Sequence, residues 1–196
     1  MSCSDPPQKS VSIVRAAFVV EGGIAALAAM LSWAFAMPLA ENFALSLSSI
    51  GQGLAGCLPL AALMLVVTYV PLDSFKRFNR QVETSIVPLF RGCNWRELAL
   101  ISALAGFGEE WLFRGVMQRG LAPYLGPLGA CLASGVLFGL VHAVSVLYAV
   151  FAAAIGIYLG WLWQATDNLA PPMLAHGLYD FIALVFLTRG RYGSKA

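Results

Sequence analysis

Long apolar runs alternate with short polar breaks along this chain, and most runs reach the roughly 20 residues that a helix needs to cross a bilayer. The first run covers about 13–37 and stops at Pro38; the second covers about 48–70 and ends in "YVPLD". Between 71 and 95 the chain is at its most polar, with Asp73, Lys76, Arg77, Arg80, Glu83 and Arg91. A loop with a short interfacial helix near "SIVPLF" is expected there. The third run covers about 96–119 and gives way to "APYLGP", whose two prolines and glycine break the helix. The uncharged run 128–165 is too long for one crossing and divides near Val144–Leu147 into spans of about 128–144 and 147–165. After the turn "TDNLAPP" a sixth span covers about 171–188. The pattern predicts an all-α, polytopic transmembrane helix bundle of about six spans. It forms one transmembrane domain, 13–188, between a polar N-terminal tail, 1–12, and a basic C-terminal tail, 189–196.

Lys9 and Arg15 before an apolar run, with small residues in "AFAMPLAEN", have the look of a signal peptide. The run is longer than the roughly 7–15 apolar residues of such a signal, so a retained first span is expected. On the fifth span, Ala152, Gly156 and Gly160 recur every four residues, a spacing that lets helices pack closely.

Composition agrees with a membrane protein. Hydrophobic residues make up 59% of the chain and charged residues 11%, against about 25% charged in a typical soluble domain; mean hydropathy is +0.76. No basic stripe with interleaved aromatics points to nucleic acid. The cysteines, Cys3, Cys57, Cys93 and Cys131, form neither a CxxC pair nor a zinc-ligand spacing, and are expected to be plain small hydrophobes. With six spans, both termini and the 71–95 loop share a side. Ten of the twelve basic residues lie there: Lys9, Arg15, Lys76, Arg77, Arg80, Arg91, Arg96, Arg189, Arg191 and Lys195. That side, with both termini, is expected to be cytoplasmic.

Few strongly polar groups fall inside the spans: Glu21, Glu97, Glu109, Glu110, Arg114, His142, His176 and Asp180. Glu21 and Glu97 sit near span ends and can reach the interface. Charge inside hydrocarbon is costly, roughly 2.5–3.5 kcal/mol on insertion scales, so the rest need partners. Glu110 and Arg114 are four apart and face each other as an internal ion pair. Glu109 is rotated by about 100° and is left for another partner or a wet cavity. Phe138 and His142, and His176 and Asp180, are also four apart. Singly, each histidine is more often a core residue with one satisfied hydrogen bond. These are the two histidines of the chain, however, and three helices carrying Glu-Glu, His and His/Asp can converge on one polar pocket. Such a set suits activation of water by a carboxylate or imidazole, with a second polar pair supporting the oxyanion. A divalent metal such as zinc is the rival use, with Glu109, His142 and His176 as ligands, although HExxH spacing is absent.

Three short motifs, "EEWLFR" (109–114), "FGLVH" (138–142) and "HGLYD" (176–180), resemble the EExxxR, FxxxH and HxxxN/D motifs of the CaaX protease and bacteriocin-processing (CPBP, or Abi) family, in the family's order. The resemblance covers about 109–180, within a catalytic core expected over 96–188. It implies an intramembrane glutamic endopeptidase acting on a membrane-associated protein or peptide, with no obligatory metal. By the same resemblance Glu109 and His142 activate water and His176 and Asp180 support the oxyanion. Glu110, Arg114 and Phe138 support the motifs. Asp180 stands where many members have Asn. A bacterial plasma membrane is the expected location.

Counted along straight helices, His176 falls near the outer end of span six and His142 toward the inner end of span four. Bringing them together requires span boundaries shifted by several residues or a connection between spans five and six that dips inward. The competing readings are a non-proteolytic partner-binding or regulatory protein of the same fold, and a small transporter or proton relay. The latter lacks the paired broken spans common in transporters.

Overall fold

The computed structural model describes residues 7–191, with side chains from Ser12 onward. Eight α-helices follow in order: α1 (Pro7–Ala34), α2 (Leu47–Tyr69), α3 (Asp73–Gln81), α4 (Val87–Phe90), α5 (Trp95–Glu110), α6 (Arg119–Val141), α7 (Val146–Thr166) and α8 (Ala170–Val185). No strand occurs among the described residues. Five helical stretches are long and apolar enough to cross a membrane. The longest, Trp95–Val141, spans 47 residues and folds back on itself at Gly126, where φ is +69°. Only glycine takes that conformation cheaply, and Pro123 and Pro127 flank it. The two arms on either side of Gly126 bring the number of long apolar helical segments in the bundle to six.

α1 starts at Pro7, inside the segment expected to be a polar tail. Proline is well tolerated in the first helical turn, where its missing N–H is no loss. Cys3, Lys195 and the outer parts of both tails lie outside the described residues. Cys57, Cys93 and Cys131 are free and buried, as small hydrophobes should be.

The stretch 71–95 corrects the expectation of a loop. It is helical through α3, a π-helical turn Val82–Ile86 and α4. Phe75, Phe78 and Val82 form an inward stripe at helical spacing, while Lys76, Arg77 and Arg80 are exposed. Phe78 meets the rings of Tyr148 and Phe151 at 5.6 and 4.8 Å, which pins this amphipathic roof onto α7. The density of charge on the outer face hides the stripe from a hydropathy reading. At the same end, Arg191 donates to the Thr68 carbonyl at 2.9 Å and Arg189 donates to the Cys93 carbonyl. The C-terminal turn and the 71–95 segment therefore sit on one side of the bundle.

α5 begins with a capping box. The Asn94 side chain accepts from the N–H groups of Arg96 and Glu97, and Glu97 accepts from the Asn94 N–H at 2.6 Å. Glu97 thus caps a helix, which accounts for its charge.

Candidate active site

Helix crossings set the site. A Cβ on Gly106 would lie 2.7 Å from the Gly177 nitrogen and the Met173 carbonyl oxygen, and one on Gly177 would lie 3.0 Å from the Ser102 oxygen. These two glycines let α5 and α8 touch backbone to backbone, one turn before Glu110 on one helix and one residue after His176 on the other. Similarly, a Cβ on Gly156 would lie 3.1 Å from the Gly135 Cα, so α6 and α7 meet closely beside Phe138.

From Trp111 to Gln118 the α5–α6 rod is π-helical. Such widened turns often mark functional segments because they re-aim side chains. Here Arg114 and Gln118 point into the bundle and are wholly buried. Arg114 donates to Glu110 Oε1 at 2.8 Å and to the Gly156 carbonyl at 2.5 Å; Gln118 donates to the Gly160 carbonyl at 3.1 Å. The small-residue stripe of span five thus does more than permit packing. Two of its carbonyls, four residues apart, receive two polar side chains that are also four apart.

The structure brings the six polar motif residues into one cluster. Glu110 Oε1 also lies 2.8 Å from His176 Nδ1. His176 Nε2 lies 3.4 Å from Asp180 Oδ2, and Glu109 Oε2 lies 3.4 Å from His142 Nε2. The His142 Nδ1 donates to the Phe138 carbonyl at 2.8 Å. A carbonyl can only accept, so Nδ1 carries the proton and, in the neutral ring, Nε2 offers a lone pair toward Glu109. Phe138 separates the two imidazoles. Its ring stacks on His142 at 4.3 Å, stands edge-on to His176 at 5.7 Å, and lies 4.9 Å below the Arg114 guanidinium.

Straight helices would leave the two histidines apart, yet here both meet the Phe138 ring. The second arm of α6, residues 127–141, is about 22 Å long, short of the roughly 30 Å hydrocarbon core. His142 caps its C-terminal end. The α7–α8 connection packs against the connection between α1 and α2: Leu169 N–H donates to the Asn42 carbonyl at 2.7 Å, and Pro171 and Pro172 are fully buried.

Glu109, His142 and Asp180 line one end of a mainly apolar cavity of about 380 Å³. The other end reaches Thr68, Asn79 and Leu187, beneath the α3 roof. Glu21 lines the same cavity, which corrects its expected place at the interface; α1 carries it there by crossing α5 at Gly108, where a Cβ would lie 3.1 Å from the Glu21 carbonyl oxygen. From the sequence, Glu21 is expected at the interface because it lies near the start of its span and belongs to no motif; the helix crossing that turns it inward cannot be read from an apolar run. Gln81 was missed because it too belongs to no motif. Its amide donates to the Val144 carbonyl at 3.1 Å and accepts from Ser145 Oγ at 2.5 Å, tying the roof to the turn that follows His142.

Among the described residues, no three His, Cys, Asp or Glu side chains are grouped as a metal site. The set Glu109, His142 and His176 does not form one: Glu109 meets His142 while His176 turns to Glu110.

An all-helical integral membrane protein with a buried acid–imidazole cluster at the end of an apolar cavity is the class that fold and site define. Residues 91–182, a little under half of the chain, match the model of the family described as type II CAAX prenyl endopeptidase Rce1-like, a match consistent with the CPBP family. The matched segment contains all three motifs, and the match supports a peptidase at the level of the family. No curated protein and no solved structure matches the chain.

Proposed function

We propose that the protein is an intramembrane endopeptidase in which Glu109 and His142 activate the attacking water. The observation that carries this reading is the facing pair of acceptors. Glu109 Oε2 is buried without a hydrogen bond, and His142 Nε2 stands 3.4 Å away with its lone pair free in the neutral ring. A water in the adjoining cavity can donate to both, and either can take its proton as the oxygen attacks a peptide carbonyl. The same carboxyl returns the proton to the leaving amine. No step passes through a metal.

His176 and Asp180 support the oxyanion. A ring held between Glu110 and Asp180 donates from both nitrogens, and Nε2–H, beside the cavity residue Asp180, is the donor within reach of a tetrahedral oxygen. Asp180 then acts by orienting His176, since an ionised aspartate donates nothing itself. Glu110 and Arg114 hold these groups in place. The substrate is a membrane-associated polypeptide entering the apolar cavity; the matching family is described as a type II CAAX prenyl endopeptidase. Both termini face the cytoplasm, in a bacterial plasma membrane. Peptide cleavage by purified protein in detergent, with and without chelator, tests the reading. Cleavage that survives the chelator supports it; loss with recovery on zinc contradicts the metal-free route.

A further inference from the structure

The site carries more negative charge than its cations match. Four carboxylates surround it, Glu21, Glu109, Glu110 and Asp180, against one guanidinium, Arg114, and two imidazoles. The cations are already engaged, Arg114 with Glu110 and His176 with Glu110 and Asp180, while the neutral His142 ring faces Glu109. Glu21 alone of the four has no Lys, Arg or His nitrogen within 4 Å among the described residues, and its Oε2 is buried without a hydrogen-bond partner. It lines the same cavity as Glu109, His142 and Asp180. Its place is built in, since α1 crosses α5 at Gly108, the residue before Glu109.

An unpaired carboxylate in a low-dielectric cavity is costly, and a cation supplied from outside relieves that cost. We infer that Glu21 is a substrate-binding residue that receives a basic side chain, Lys or Arg, next to the scissile bond of the polypeptide. The inference rests on the peptidase reading and adds a specificity to it. The aliphatic stem of such a side chain would pack on apolar lining such as Leu63, Met64 and Ala105 while its head reaches Glu21.

The test uses the purified full chain in detergent micelles and a mixed-sequence library of apolar peptides, with cut sites read by mass spectrometry. Wild type is expected to enrich Lys or Arg at one position within three residues or so of the cut bond. Matched quenched peptides with Lys or Gln at that position then give the ratio of kcat/KM values. A ratio of about tenfold or more is expected for wild type, as for a charge-assisted hydrogen bond. It should fall to near one in Glu21→Gln and persist in Glu21→Asp. Cleavage by wild type with no basic preference at any position overturns the inference while leaving the peptidase reading intact. That comparison needs no variant, so a Glu21→Gln protein that fails to fold does not shield the claim. An unchanged ratio in folded Glu21→Gln also overturns it. No cleavage of any peptide by wild type removes the peptidase reading and this inference with it.

Discussion

One oxygen of Glu110 holds both Arg114 and His176: Nη1 and Nδ1 each lie 2.8 Å from Oε1. The carboxylate is fully buried, so it cannot turn to water to replace either partner. It links the π-helical segment to α8 and fixes the ring orientation that leaves His176 Nε2 facing Asp180.

Removing Glu110 should therefore cost more than a surface pair would. Glu110→Leu leaves a buried guanidinium without its counter-charge, and a loss of about 3–5 kcal/mol in detergent unfolding is expected. The double variant Glu110→Leu, Arg114→Leu should recover part of that loss, because neither charge remains. Equal losses in the single and double variants would show that the pair does not couple.

The α5–α8 crossing predicts a second effect. Gly106→Ala places a methyl 2.7 Å from backbone atoms of α8, which cannot yield as a flexible side chain would. Overpacking of this kind costs about 1–3 kcal/mol. The helices must separate, and His176 moves away from Glu110, so kcat should fall along with stability. Gly22→Ala, which meets nothing within 4 Å, serves as the control in the same assays.

Phe138 touches both imidazoles and Arg114, and its own side chain is buried. Phe138→Ala should lower stability by about 3–5 kcal/mol through lost burial and the cavity left behind. Phe138→Leu keeps most of the volume and should fold, yet lose the ring that spaces the histidines. Reduced kcat in folded Phe138→Leu, measured on a cleaved peptide, is the expected result.

The parts of the site that were legible in the sequence are local. Glu110 and Arg114 face each other because four residues make about one helical turn, and the structure has them paired at 2.8 Å. The same spacing placed His176 beside Asp180. What joins different helices was visible only as a set of motifs. The contact between Glu110 and His176, the wedge of Phe138 and the entry of Glu21 depend on the rotation and depth of whole helices. Those are set by glycine crossings at 106, 108, 156 and 177, and a glycine in an apolar run looks the same whether it faces lipid or another backbone. The roof helix α3 was missed for a different reason: its apolar stripe is only three residues, buried in a charged stretch.

Asp180 gives a fourth expectation. If it orients His176 through an acceptor oxygen, Asp180→Asn should retain activity within about tenfold, since the amide oxygen still accepts. Asp180→Leu should lose it. Inactive, folded Asp180→Asn would assign the carboxylate charge itself to the reaction.

The role of Glu109 bears most directly on the whole account. Purified wild-type and Glu109→Gln proteins, matched in unfolding behaviour, should be compared for cleavage of the same membrane peptide. The carboxamide keeps the shape but cannot take a proton from water, so a loss of at least about 100-fold in kcat is predicted. Full proteolysis by folded Glu109→Gln would contradict it.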